Sequence, residues 1–228
     1  MALMNLDAGE YPDEPEELWA WFDVLNIACG GHAGDPASMD RVVGWCARGA
    51  ADHRPRAISA HPSYPDVPGF GRRSLDIAPD ALAGAIAHQC AALAAIARGH
   101  GRGVAYVKPH GALYHDANAS PALAGAVIGA AIDALGAQIT VIGPPAGALH
   151  AAATARGLGY AREGFADRRM RGDGSLVPRG QPDALITVPA EAAAQARRLA
   201  GQVDTICVHA DTPGALAIAG AVHEALRG

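Results

Sequence analysis

A chain of 228 residues, half of them hydrophobic and 5% aromatic, has enough apolar material for one large α/β core or two small ones, packed closely through alanine and glycine. The formal net charge of −5, with no basic runs, argues against a nucleic-acid partner. No apolar run of ~20 residues is read as a membrane span, and the opening stretch MALMNLDAGE has no charged start of the kind a signal peptide carries.

Taken in order, residues 3–6 predict a first strand, closing in Asp7-Ala8-Gly9-Glu10. Residues 11–22 predict a loop and a short helix. A second strand over 24–28 ends in C-G-G-H-A-G-D. There Asp35 is placed as an N-cap carboxylate and Pro36 at the first helical position, so a helix is expected to run to about Ala51. A third strand, 57–60, ends at His61 before a long loop, and Pro79 opens an alanine-rich helix ending near Gly99. The fourth strand, 104–108, stops at Pro109, which cannot donate to a ladder, and a polar loop follows. Ser120-Pro121 repeats the cap-then-proline signal for a helix ending near Gly136. Residues 138–142 predict a fifth strand, with a helix after it to about Arg156. A weaker strand, 160–165, precedes a polar segment over 167–182. The apolar run 184–188 is read as an extra strand in a hairpin outside the main sheet, before a helix from Pro189 to about Gln202. The last strand, 205–208, ends in His209-Ala210-Asp211, with Thr212-Pro213 expected to cap the final helix.

Strands alternating with helices predict a mainly parallel sheet, its strands apolar throughout because helices cover the faces. Seven main strands suit a distorted (β/α) barrel, one strand short of the TIM type, over 1–228 as one domain. An open doubly wound sheet is the alternative. Cys29, Cys46, Cys90 and Cys207 have no C-x-x-C spacing and are expected as free thiols of a reducing cytoplasm.

In a parallel barrel, functional groups gather at the carboxyl ends of the strands. Those ends carry Asp7 and Glu10, His32 and Asp35, His61, Lys108 and His110, and His209 and Asp211. Asp35 and Thr212 also serve as helix caps in this reading. His53, His88, His100, His150 and His223 fall in or just after helices, where surface or packing roles are expected. Lys108 is the only lysine. It is either a solvated strand-end residue, an ammonium acting as a point charge on a carbonyl or phosphate oxygen, or, if desolvated, an amine that gives up its proton. Two chemistries fit the rim. Asp7, His61 and His110 could hold a divalent metal that activates water. Alternatively, histidine and aspartate act as general acid and base while Lys108 and arginines neutralise an anion. Arg72, Arg168 and Arg179 are the candidate anion clamps, and one of the adjacent pair Arg72 and Arg73 is expected to be structural. G-x-x-x-x-G-K-[ST] is absent, which excludes a P-loop.

Seven strings combine into a resemblance: N-x-D-x-G-E over 5–10, NIACGGHAGDP over 26–36, AHPSYPDVPGFGRR over 60–73, VKPHGALY over 107–114, EGFADR over 163–168, DGSLVPR over 173–179 and HADTPGA over 209–215. Together they span nearly the whole chain and resemble the LamB/YcsF family. The resemblance implies a barrel related to the glycoside hydrolase/deacetylase folds. It also implies ATP-dependent opening of 5-oxo-L-proline to glutamate, in company with separate B and C subunits. On that basis Asp7, His61, Lys108 and His110 are expected to be catalytic, with Asn5, Glu10, Asn26, His32, Tyr64, Arg72, Tyr114, Arg168, Arg179 and His209 contacting substrate or phosphate. Two departures stand beside His32. Gly31 occupies a position where the family usually has an aromatic residue, and the segment between the first two strands is short. A stand-alone metal-dependent amidase or deacetylase, and a non-catalytic substrate-binding subunit, are the competing readings.

Overall fold

The computed structural model describes residues 1–49, 54–172 and 175–228. The expected apolar runs become β1 (Leu3–Ala8), β2 (Val24–Ala28), β3 (Ala57–His61), β4 (Val104–Val107), β5 (Thr140–Gly143), β6 (Gly159–Phe165) and β7 (Thr205–His209). They pair in parallel in chain order, and β7 pairs back to β1. The sheet is therefore a closed barrel, not the open doubly wound form. Around it lie α1 (Glu16–Trp19), α2 (Pro36–Arg48), α3 (Pro79–Gly99), α4 (Gly111–Ala119), α5 (Pro121–Leu135), α6 (Ala148–Ala155), α7 (Pro189–Leu199) and α8 (Ala215–Arg227).

The period of two along a strand sorts the barrel interior into tiers. At the amino end, Val24, Ile142 and Ala161 pack with Leu3, Ala57 and Tyr106 as an apolar floor. Two residues on, Asn5 and Asn26 are fully buried, and the next step along β1 brings Asp7. Asn26 Nδ2 donates to Asn5 Oδ1 (2.8 Å) and Asp7 Oδ1 (2.9 Å), and Asn5 Nδ2 donates to Thr205 Oγ1 (2.8 Å). The large apolar core lies outside, between barrel and helices. α3 is long and apolar enough for a membrane span by composition, with a mean hydropathy of 1.4. In this fold it covers β3 and β4, packs against α2 and α5, and buries Leu82, Ile86 and Leu93.

The helix starts follow the sequence closely at two sites. Asp35 Oδ1 accepts from Ser38 N (2.8 Å) while Ser38 Oγ accepts from Asp35 N (2.9 Å), a capping box before Pro36. Ser120 caps α5 ahead of Pro121. The end expected for α2 at Ala51, and with it His53, lies outside the described residues; α2 is described to Arg48, with Gly49 at its C-cap. The segment 184–188 forms no barrel strand. Leu185 makes an isolated antiparallel bridge to Arg168, folding the segment after β6 back over the rim.

Two expectations fail. Thr212 does not cap α8: its hydroxyl donates to Asp167 Oδ2 (2.6 Å), and Gly214 stands at the N-cap. The polar loop after Pro109 is instead the helix α4. Its start has no Ser, Thr, Asp or Asn cap, and its buried residues Leu113, Tyr114 and Ala117 make too short an apolar stripe to read. It can begin only because Gly111 has φ +57° and lies against the loop after β3, where a Cβ would come within 2.4 Å of Gly71 O. Gly111→Ala is expected to cost about 2–3 kcal/mol, from positive φ plus that collision. Urea denaturation checks it; a cost below ~0.5 kcal/mol would show that the two loops do not meet.

Candidate functional site

Lys108 leaves β4 pointing into the barrel mouth with its ammonium out of solvent. Its Nζ lies 2.8 Å from Asp7 Oδ1, 3.3 Å from Asn5 Oδ1, 3.4 Å from Cys207 Sγ and 2.9 Å from Glu163 Oε1. Glu163 acts through charge more than through an aligned hydrogen bond, since neither of its oxygens has a hydrogen-bond partner. Burial works against a charged ammonium, but the Asp7 and Glu163 carboxylates outweigh it and hold the Lys108 pKa well above the usual lysine value. Burial likewise works against the Asp7 carboxylate, and His61 and Lys108 outweigh it, so its pKa lies well below the ordinary range. Lys108 is thus a fixed cation and Asp7 a fixed anion.

Beside this pair, the ends of β1, β2, β3 and β4 bring four side chains together. His32 Nε2 lies 2.8 Å from Glu10 Oε1, and His110 Nδ1 lies 3.0 Å from His61 Nε2 and 3.3 Å from Glu10 Oε1. The rings of His32 and His110 stack with centroids 3.5 Å apart and planes 3° from parallel. Burial, and after it the neighbouring His61, pushes the pKa of both rings down to about 2, so both are neutral. Burial pushes Glu10 upward, with His110 opposing it. The ligand atoms of Glu10, His32, His61 and His110 lie within 4.8 Å of one another and form a group able to hold a metal ion. Asp7 falls in a second such group, with Cys207 and His209.

Across the mouth, His209 is fixed by Asp167, a fully buried aspartate outside the set of candidates drawn from the strand exits. Asp167 accepts from the His209 backbone N–H (2.8 Å) and from Thr212 Oγ1, and its Oδ1 lies 3.0 Å from His209 Nδ1. Burial raises the Asp167 pKa, and His209 and Thr212 pull it back below the usual value. Nδ1–H therefore points at the carboxylate, leaving Nε2 free, 4.0 Å from Asp7 Oδ2. Asp167 and Glu163 both lie within the EGFADR string, at the exit and inside of β6. The signal that could have found Glu163 is the period of two in β6, which puts it on the same face as Ala161 and Phe165 and opposite the exposed Arg162.

These groups line a cavity of about 450 Å³. Asp7, Glu10, His61, Lys108, His110 and His209 form one part of its wall. Arg72, Tyr114, His115, Phe165, Arg168 and Arg179 also line it, together with the start of α4 and residues 175–178. Of the other expected residues, Asn5 and Asn26 lie below in the barrel, His32 lies behind Glu10, and Tyr64 donates to Asp116 Oδ2 (2.9 Å). Arg73 pairs with Asp66 (2.7 Å) and does not line the cavity, whereas Arg72 reaches Asp211 (2.8 Å). Arg179 pairs with the same Asp211. Arg168 donates to the Val177 carbonyl (2.9 Å), and its Nε has no partner. At Gly31 a Cβ would lie 2.3 Å from Gln89 Oε1, and the Gln89 side chain bridges the N–H and carbonyl of Ser63 there.

Comparison with known proteins places these features in context. The family model described as "LamB/YcsF family" matches residues 4–228. The chain is similar to the A subunit of 5-oxoprolinase from Methylococcus capsulatus (strain Bath), 43% identical and covering 95% of this chain and 88% of that one. It is likewise similar to the A subunit of 5-oxoprolinase from Bordetella pertussis, 41% identical and covering 98% and 94%. Among solved structures it resembles the lactam utilization protein of Thermus thermophilus, with a TM-score of 0.86, 32% identity, and 99% and 95% of the two chains covered.

Asp7 and Asp167 both hold their folded pKa below the unfolded value near 3.9. Their contribution to stability is therefore complete above about pH 5 and is lost as pH falls through the folded values. Asp167→Asn is expected to destabilise by about 3–5 kcal/mol at pH 7 and to make the acid limb of stability against pH shallower. Denaturant titrations at several pH values check this; identical acid limbs would contradict it.

Proposed function

This chain belongs to the LamB/YcsF family, and from that premise we propose that it is the lactam-opening subunit of an ATP-dependent 5-oxoprolinase, working with separate B and C subunits. The observation that carries this reading is the make-up of the cavity wall, which combines arginines suited to an anion with a buried cation among acids and imidazoles. 5-Oxo-L-proline carries groups suited to both, a carboxylate on one side of a small ring and an unreactive amide on the other. A cavity of about 450 Å³ is of the size that small ligands use.

In this reading Arg168 receives the substrate carboxylate, helped by Arg179 and Arg72. ATP supplies the phosphoryl group that makes the lactam carbonyl reactive. Water adds to the carbonyl carbon, the C–N bond breaks with nitrogen leaving as the amine, and the resulting acyl phosphate yields phosphate to a second water. His209, held by Asp167 on the cavity wall, is the base assigned to that water. Lys108 neutralises charge developing on oxygen, which a permanently protonated amine does without losing a proton. The four buried, unpaired cysteines support a reducing compartment, the cytoplasm, as its location.

The Glu10, His32, His61 and His110 group favours a second reading, a metal-dependent amidase acting alone. Glutamate release by the isolated chain without ATP, abolished by a chelator, would select it. For the first reading, Lys108→Met in the assembled complex is expected to lower kcat by ~10²–10⁴. Arg168→Ala is expected to raise KM at least ~10-fold with a smaller effect on kcat. ATP-dependent glutamate release at near-full rate in both variants would overturn it.

A further inference from the structure

The hydrogen bonds around two imidazoles crowd several acceptor atoms into one corner of the site. His61 Nδ1 lies 2.7 Å from the Lys108 carbonyl oxygen, and His110 Nε2 lies 2.9 Å from the Phe70 carbonyl oxygen. A carbonyl only accepts, so each of these nitrogens carries the ring's proton. With no second proton on either ring, His61 Nε2 and His110 Nδ1 are bare lone pairs, and they face each other at 3.0 Å. The surroundings add more acceptors. Asp7 Oδ2 lies 3.4 Å from His61 Nε2, and Glu10 Oε1 lies 3.9 Å from His61 Nε2 and 3.3 Å from His110 Nδ1. His32 Nε2 approaches the same Glu10 oxygen at 2.8 Å. Because His32 Nδ1 is buried with no partner, nothing on that side fixes the ring's tautomer. A proton on His61 Nε2 would relieve the nearest contact and leave Glu10 facing His110 acceptor to acceptor.

We propose that Glu10, His32, His61 and His110 hold a divalent first-row transition-metal ion at the wall of the cavity. Four ligands at bonds of about 2.1 Å in a tetrahedron stand about 3.4 Å apart. Four of the six separations among the ligand atoms, 2.8, 3.0, 3.3 and 3.9 Å, bracket that edge, and the other two lie within 4.8 Å. His32 and His110 are stacked, so His32, whose Nδ1 has no partner to hold it, must rotate for both lone pairs to meet one ion. The carbonyls of Lys108 and Phe70 supply the outer hydrogen bonds that hold metal-ligating imidazoles in one tautomer and orientation. Three nitrogens and one carboxylate oxygen suit zinc or cobalt(II) and not the all-oxygen preference of magnesium or calcium. The ligands come from the exits of four successive strands, β1 to β4, so closure of the barrel itself sets the spacing. Glu10, His61 and His110 line the cavity, which gives an ion a route in. The neighbouring group of Asp7, Cys207 and His209 does not compete, because the Lys108 ammonium already sits 2.8 Å from Asp7 and 3.4 Å from Cys207 Sγ.

The inference rests on this geometry and not on the lactam reading. Its test is elemental analysis of the purified full chain, followed by chelator stripping and titration with Zn²⁺ and Co²⁺. Calorimetry, the melting temperature and the visible spectrum of the cobalt form are the readouts. One ion per chain is expected, with a raised melting temperature and the intense visible bands of four-coordinate cobalt. His110→Ala and, should that variant fail to fold, Glu10→Gln are expected to weaken zinc binding more than ~100-fold, beyond what loss of an outer hydrogen bond costs. His115→Ala, on the same cavity but outside the group, is expected to keep it. No stoichiometric uptake and no melting shift with either ion would overturn the proposal, as would zinc binding undiminished in the folded variants. A chain that binds its ion in a complex that opens no lactam would keep this inference and remove the functional reading. A complex that turns over while shown to be ion-free would do the reverse.

Discussion

A charged amine held inside a closed barrel constrains nearly everything around it. Taking an ammonium out of water costs several kcal/mol even after relaxation, so its partners must be fixed before it is tolerable. Asp7 on β1, Glu163 on β6 and Cys207 on β7 surround Lys108 from three strands, and Asn26, itself bonded to Asn5, ties Asp7 from below. The apolar floor beneath them keeps solvent from the amino end. The strand register that places Asp7 beside both Asn26 and His209 is therefore also the register that satisfies the amine. A slip of one residue would send Asp7 out toward the helices and leave the ammonium unpaired.

Asp7 joins the two halves of the site. On one side it faces His61 and, through it, the stacked pair His32 and His110 on Glu10. On the other it faces His209, which Asp167 and Thr212 hold from behind. The two halves have different electrostatic characters. The first is a knot of acceptors in which His61 and His110 each turn one ring nitrogen to a backbone carbonyl. The second has the base-and-orienter arrangement common to hydrolytic sites. Both abut the same cation, so a ligand in the cavity meets metal-type donors, a fixed positive charge and an oriented imidazole within a few ångströms.

The strands and most helix starts were legible because their signals are local: apolar runs, Asp35-Pro36, Ser120-Pro121. The clustering of rim histidines was legible because a parallel barrel sends every strand exit to one end. What stayed hidden depends on contacts across the fold. α4 begins on a glycine that sits against a loop forty residues earlier in the chain, which no window of sequence contains. Thr212 looked like a cap because a helix follows it, and only the distant Asp167 decides otherwise. Asp167 itself reads as an ordinary loop acid until β7 is laid beside β6. Glu10 and Asp7 look equivalent in N-L-D-A-G-E, and only the amine's position separates the ion-paired acid from the one among histidines.

The loops above the cavity are joined by a different kind of bond. Asp211, after β7, is shared by Arg72 from the β3 side and Arg179 from the β6 side, and Tyr11 from the β1 side leans on it at 3.4 Å. Tyr11 also stacks on Phe70, whose ring lies under the Arg72 guanidinium. These charges are partly solvated, so each pair contributes little on its own and is screened by mobile ions. Added salt weakens such pairs, while the interior amine, away from counterions, is little affected, so the loops and the barrel beneath them respond differently to ionic strength.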